Sequence, residues 1–202
     1  MRMKLSVMNF KKKYPAKLGI RPFVDSNNKL LQFYFRLGED GLPFQAKVVD
    51  GIAHLKWMNL DKKTWSHKNP ELNKIRVAVI DLSDSRRATI SNYMTQTSFR
   101  KFEARGSKFY LNAKPIQIRG LLNWGYAPPR VAPSIDEEHF RGELELARSY
   151  GFNLMKFCLW VPPKRYLEIA DEMGMMTWVE YPTWHSKWTP DQLPKLRREF
   201  TE

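Results

Sequence analysis

Three tryptophans and four polar residues stand where short apolar runs end: Trp124, Trp160 and Trp184, with Asn123, Lys156, Glu180 and His185. An indole face stacks on the C–H surface of a ring while its N–H bonds an acceptor. Amide, ammonium, carboxylate and imidazole groups add the donors and acceptors that hydroxyl groups require. The set suits the binding of a ligand rich in hydroxyls. Each tryptophan fits equally as a plug or loop anchor, and His185 fits as a solvated loop residue. A carboxylate ending an apolar strand is costly unless paired or functional, so Glu180 either meets ligand or pairs with Lys156 on the neighbouring strand. The single cysteine, Cys158, reads as a small core residue inside an apolar run and excludes a disulfide framework.

The elements that must position these groups alternate strand and helix. Ile116–Gly120 reads as a strand closed by glycine, followed by a loop. Ser134 with Glu137 three residues on has the form of a capping box. Phe140, Leu144, Ala147 and Tyr150 then recur at helical spacing up to Gly151, a residue suited to a left-handed helix end. Phe152–Trp160 is nearly all apolar, as parallel strands covered on both faces are. After Pro162 and Pro163, the stripe Tyr166, Ile169, Ala170, Met173 predicts a second helix up to Gly174. Met175–Glu180 predicts a third strand closed by Pro182. Residues 189–202 predict a third helix whose inner face is Leu193, Leu196 and Phe200.

Strand–helix alternation implies right-handed crossovers and a parallel sheet. From Phe109 the chain has 94 residues, against about 250 in a closed eight-stranded α/β barrel. The expectation is therefore an incomplete (β/α)8 barrel, its first three β/α units.

The residues up to Lys108 follow a different pattern. Gln32–Leu37, Ala46–Val49, Ile52–Trp57, Lys74–Ile80 and Ala88–Thr95 read as short strands between Gly, Asp, Asn and Ser turns, as in a β-sandwich. Up to Lys108 there are 22 Lys and Arg against 9 Asp and Glu, and beyond it 12 against 12, so the excess of +13 lies wholly in the first part. The domain expectation is an N-terminal tail or remnant over 1–22, an immunoglobulin-like sandwich over 23–106 and a barrel segment over 107–202. A basic excess invites a nucleic-acid partner. The charges are scattered over strand faces and turns with no recognition motif, so no nucleic-acid partner is expected. The first fifteen residues carry lysines where a secretory leader needs an apolar run. No run is long enough to span a membrane.

Several motifs fall in one order: Phe109, Asn112, Lys114, Pro115, Arg119 and Gly120; Gly151, Phe152 and Asn153; Asp171, Glu172 and Gly174; and WVEYP at Trp178–Pro182. Together they resemble the opening of the catalytic barrel of glycoside hydrolase family 2, GH2, which includes β-galactosidases, β-glucuronidases and β-mannosidases. Trp65, Asn69, Pro70, Leu72, the strand Arg76–Ile80 and the run Phe99–Phe102 resemble the immunoglobulin-like sandwich before it. The resemblance covers about residues 25–202.

It implies retaining hydrolysis of a β-linked glycoside by two glutamates roughly 5 to 5.5 Å apart. In the family the acid/base glutamate follows an asparagine at the fourth strand's end, and the nucleophile ends the seventh strand. Neither motif is present here, so no catalytic residue is carried over and the 202 residues are expected to be inactive alone. Ala113 replaces a usual glycine, and Lys156 an arginine whose planar fork it lacks. KFCLWVPP and LLNWGYAPP replace the family's arginine–histidine run and histidine-rich loop. No metal or cofactor is expected; the implied partner is a carbohydrate. The alternatives are a non-catalytic carbohydrate-binding or scaffold module and, less favoured, a basic nucleic-acid binder.

Overall fold

The computed structural model describes residues 2–6, 16–21, 31–38, 44–45, 47–49, 52–57, 63–81, 85–86, 89–127, 131–184 and 187–201. The chain divides into two compact units: 1–65 with 71–101, and 66–70 with 102–202.

The first unit holds strands β1 (Arg2–Ser6), β2 (Ala16–Arg21), β3 (Leu31–Leu37), β4 (Phe44–Gln45), β5 (Lys47–Val49), β6 (Ile52–Trp57), β7 (Asn73–Asp81) and β8 (Thr89–Thr97). They form two four-stranded sheets, ordered β1-β2-β6-β5 and β4-β3-β7-β8, with antiparallel pairing throughout. Residues 1–22, read as an N-terminal tail or remnant of a preceding domain, include two strands bonded into a sheet with β5 and β6. Their sequence, RMKLS and AKLGIR, gave only short apolar signals between lysines. In the second sheet Phe35, Leu37, Ile75, Val77 and Val79 are buried at a period of two, which puts one face inward and leaves the other open. Trp65 is buried, its backbone N–H donates to the Phe99 carbonyl, and the Arg100 guanidinium lies 4.4 Å from its ring centre.

The second unit begins with an antiparallel meander, β9 (Phe102–Arg105), β10 (Lys108–Leu111) and β11 (Lys114–Ile116). The two-residue connection Asn112–Ala113 has φ of 52° and 65°, the left-handed pair that a tight hairpin demands. A parallel sheet follows: β12 (Gly120–Asn123), α1 (Glu137–Ser149), β13 (Leu154–Phe157), α2 (Lys164–Met173), β14 (Met176–Val179), then α3 (Leu193–Thr201). Its order is β12-β13-β14.

Several local expectations are corrected. Ile116–Gly120 is not one strand: Ile116 closes β11, Gly120 opens β12, and 117–119 is a connection held by Asn153. That buried amide accepts from the Arg119 N–H at 2.9 Å and donates to the Gln117 carbonyl at 2.9 Å. Helix α1 is capped by Asp136, which accepts from the Glu138 N–H at 3.0 Å. Ser134 instead accepts from Asp136 N–H, turning the chain ahead of the helix. Phe140, Leu144 and Ala147 are buried as spaced, but Tyr150 is 76% exposed because it is already the C-cap. Helix α3 is preceded by a 3₁₀ turn at Pro190–Gln192 capped by Thr189. Leu193 on its expected inner face is exposed; the Phe200 side chain lies outside the described residues.

The core of this unit joins Phe140, Leu144 and Ala147 of α1 and Tyr166, Ile169 and Ala170 of α2 to Met155 and Phe157 of β13, with Met175. Gly174 ends α2 at φ 77°, and a Cβ there would lie 2.6 Å from the His67 carbonyl oxygen. Only glycine fits that approach.

Candidate functional site

The three parallel strands end level. Asn123, Phe157 and Val179 are neighbours in one row of the register. The next residues, Trp124, Cys158 and Glu180, therefore leave the sheet at the same height, with Lys156 one row below opposite Trp178. Alternation along strands puts Lys156 and Phe157 on opposite faces: Phe157 is fully buried and Lys156 reaches out of the core.

Asn123 is inside the framework and not open to a ligand. It is 8% exposed, and its polar groups are engaged. Nδ2 donates to Glu143 Oε1 at 2.8 Å, and Oδ1 accepts from the Gly125 N–H at 2.7 Å. Its carbonyl accepts from the Cys158 N–H at 2.9 Å and from the Trp160 indole at 3.2 Å. Glu143 also accepts from the Tyr166 hydroxyl at 2.6 Å. Burial first, then the Glu143 charge and hydrogen bond, push the Tyr166 phenol far up, so it stays protonated and donating. The space among Asn123, Ser134, His139, Glu143 and Trp160 is about 10 Å³, room for no more than one water.

Trp160 belongs to the same closed half. Its ring meets Phe157 edge-on at 5.5 Å and Tyr166 at 6.4 Å. Gly125, at φ 77°, lies so near that a Cβ would sit 2.7 Å from the indole. The indole is an anchor for the loop after β12.

Trp124 and Trp184 are different. Their rings lie 5.7 Å apart at 36°, and they are 38% and 59% exposed. The three tryptophans thus do not share one surface: two pair in the open, and the third is packed behind the loop. His185 lies outside the described residues.

Glu180 and Lys156 pair at 2.9 Å, and the ammonium stands 5.2 Å from the Trp178 ring centre. The neighbouring Cys158 thiol and Leu159 backbone N–H also favour the ionised form of Glu180. The Lys156 hydrogen bond, then that of Cys158, hold the Glu180 carboxyl below its ordinary value. The Glu180 bond raises Lys156 in turn. Burial, then Glu180, push the Cys158 thiol up, so it is a neutral donor. Cys158 is accordingly no core residue: it lies one place beyond β13, partly exposed. Leu159 takes φ 62°, a costly conformation for a branched side chain.

Sequence reasoning did not single out Glu143, Tyr166 as a hydroxyl donor, or Gly125. Glu143 carried a signal: it lies three residues after Phe140 and four before Ala147, a carboxylate on the apolar stripe of α1. Glu172, one of the motif residues, pairs with Arg141 and Arg165.

No family model matches the chain. Over 153 residues it is 29% identical to a β-galactosidase of Thermoanaerobacterium thermosulfurigenes, covering 70% of this chain and 20% of that protein. The fold resembles that of a Bifidobacterium dentium β-glucuronidase solved with coumarin-3-O-glucuronide, at TM-score 0.78 and 13% identity over 90% of this chain and 30% of that one. It also resembles a GH2 β-galacturonidase of Eisenbergiella tayi bound to galacturonate, at TM-score 0.67 and 15% identity over 90% of this chain and 33% of that one. The chain is GH2-like. This GH2-like chain spans about a fifth of the curated relative's length.

Proposed function

We propose that the chain is part of a retaining glycosidase acting on β-linked glycosides, and that the level strand ends form part of its sugar site. In this reading β12, β13 and β14 are the first three strands of a (β/α)8 barrel, of which 107–202 is the N-terminal part. The sheet β4-β3-β7-β8 belongs to an immunoglobulin-like sandwich over 23–106. The observation that carries it is the exposed Trp124–Trp184 pair at the C-terminal ends of parallel strands, the end where barrel enzymes keep their chemistry.

The parts divide the work. Trp124 and Trp184 offer indole faces to a sugar ring. The Asn123–Glu143–Tyr166 set and Trp160 hold the loop that carries Trp124. Lys156 and Glu180 are charged neighbours whose pairing fixes the turn at Leu159 and leaves polar edges for hydroxyls. His185 remains a candidate on the Trp184 loop. The acid/base and nucleophilic glutamates of the family's mechanism have no counterpart among these residues, so no catalytic role is assigned. Solved neighbours hold a glucuronide and galacturonate, which favours β-uronides as the first substrates to try.

The test is tryptophan emission titrated with methyl β-glucuronide, β-galactoside and β-mannoside, beside an assay of aryl β-glycoside hydrolysis. A saturable change with at least one glycoside, abolished in Trp124→Ala/Trp184→Ala, with no aglycone released, is expected. Turnover by the 202 residues, or emission indifferent to every glycoside, would overturn the reading.

A further inference from the structure

The outer face of the sheet β4-β3-β7-β8 carries a concavity of about 470 Å³ lined by Arg36, Gly38, Lys74, Ile75, Arg76, Met94, Thr95 and Gln96. That volume lies in the range of small-ligand sites, about 300–1,000 Å³. The register explains the lining. Arg36 stands directly opposite Arg76, and Arg76 opposite Met94; two residues along, Lys74 stands opposite Gln96. Alternation puts Arg36, Arg76, Lys74, Met94 and Gln96 on one face, while Phe35, Leu37, Ile75 and Val77 are buried on the other.

Two features point to an anion. Like charges directly across a strand pair are destabilising, yet two guanidiniums, of Arg36 and Arg76, face each other here. No carboxylate lines the concavity among the described residues. Arg76 Nη2 donates to the thioether of Met94 at 3.9 Å, which carries no charge. An anionic group between Arg36 and Arg76 would turn the repulsion into two charge-assisted hydrogen bonds.

Two more features narrow its class. No aromatic ring lines the concavity among the described residues, so it lacks the stacking platform on which single-stranded nucleic acids rest. Sheet strands form its floor, with no recognition helix among them. Met94, 66% exposed, offers an apolar patch beside the amide of Gln96 and the chain at Thr95, a mixture suited to a sugar's C–H and hydroxyl surfaces. We propose that this concavity is an accessory site for an acidic glycan, one bearing carboxylate or sulfate groups, distinct from the strand-end aromatic pair in the other compact unit. The cationic site stands on the geometry; the choice of a glycan as the polyanion rests on the glycosidase reading above.

The test is affinity electrophoresis of the full 202-residue chain through gels containing polygalacturonate, chondroitin sulfate or a neutral β-glucan, repeated with Arg36→Gln/Arg76→Gln. Retardation by one or both acidic polysaccharides and not by the neutral glucan is expected, with carboxylate and sulfate preference read from the two gels. The double variant should lose tenfold or more of that affinity, on the order expected for two charge-assisted contacts. Without ligand it should melt at the same temperature as the parent or higher, since the cross-strand repulsion is gone. Polygalacturonate or chondroitin sulfate should raise the parent's melting temperature and leave the variant's unchanged.

Were the guanidiniums ion-paired within the chain, to Glu39 or Asp40 for example, which lie outside the described residues, the variant would melt lower and the proposal would fall. Retardation unaffected by the substitutions, equal retardation by neutral glucan, or displacement of the glycan by an equal charge of single-stranded DNA would overturn it as well. Failure of the glycosidase reading shows separately, as loss of the tryptophan emission response to methyl β-glycosides.

Discussion

The strand-end cluster has a closed half and an open half built from the same residue types. In the closed half Asn123, Trp160, Glu143 and Tyr166 satisfy one another, leaving space for a single water at most. In the open half Trp124 and Trp184 face each other with much of their surface in solvent, and Glu180 is held by Lys156, Cys158 and Leu159. Polar and aromatic chemistry thus does not mark a ligand surface by itself. What separates the halves is whether the hydrogen-bonding capacity is already spent on the protein.

The largest effect should come from breaking the closed half. Gly125→Ala places a Cβ 2.7 Å from the Trp160 indole at a backbone φ of 77°. It should cost about 3 kcal/mol, strain and overpacking together, read as a fall in the urea midpoint. Glu143→Ala comes next: it leaves the Asn123 amide and the Tyr166 hydroxyl without their shared acceptor, at roughly 2 kcal/mol. If either variant loses less than about 0.5 kcal/mol, the closed half is not the framework described here.

In the open half stability should yield little to substitution and more to pH. The folded-state carboxyl of Glu180 is held below its ordinary 4.5, so its contribution is present above that value and is lost as pH falls through the lower folded-state value. The difference in melting temperature between the parent and Glu180→Gln should therefore be widest near neutrality and close toward pH 3. A difference constant from pH 7 to 3 would remove the charge from the account. The smallest change tests strain outside the site: Ala113→Gly relieves φ 65° in the β10–β11 turn and should add up to about 1 kcal/mol of stability in the same urea titration.

That two parts of different construction follow one another was legible because their periods differ: alternation at two in Ile75, Val77 and Val79, against the helical spacing of Phe140, Leu144 and Ala147. Ile52–Trp57 could be read to the residue, since turn residues flank it. The site was legible only as a row. Spacing put Asn123, Lys156 and Glu180 near strand ends, but not which would be consumed by the fold. That depended on Glu143, thirteen or more residues from any of them in sequence, and on a left-handed Leu159 for which no local residue type calls. The apolar run Phe152–Trp160 read as one strand, yet β13 ends at Phe157; the chain turns beyond it and the Trp160 indole donates to the Asn123 carbonyl. Ser134 and Asp136 show the same limit at a helix end: both can cap, and the turn geometry chose between them.

The level ending of β12, β13 and β14 has an evolutionary side. Because all three connections depart from one plane above a finished core, insertions or exchanges in residues 124–133, 158–163 and 180–189 change what the rim presents while leaving the layers beneath undisturbed. Drift in ligand preference and conservation of the scaffold can then proceed independently, and homologous chains should differ most in length and composition just beyond that plane.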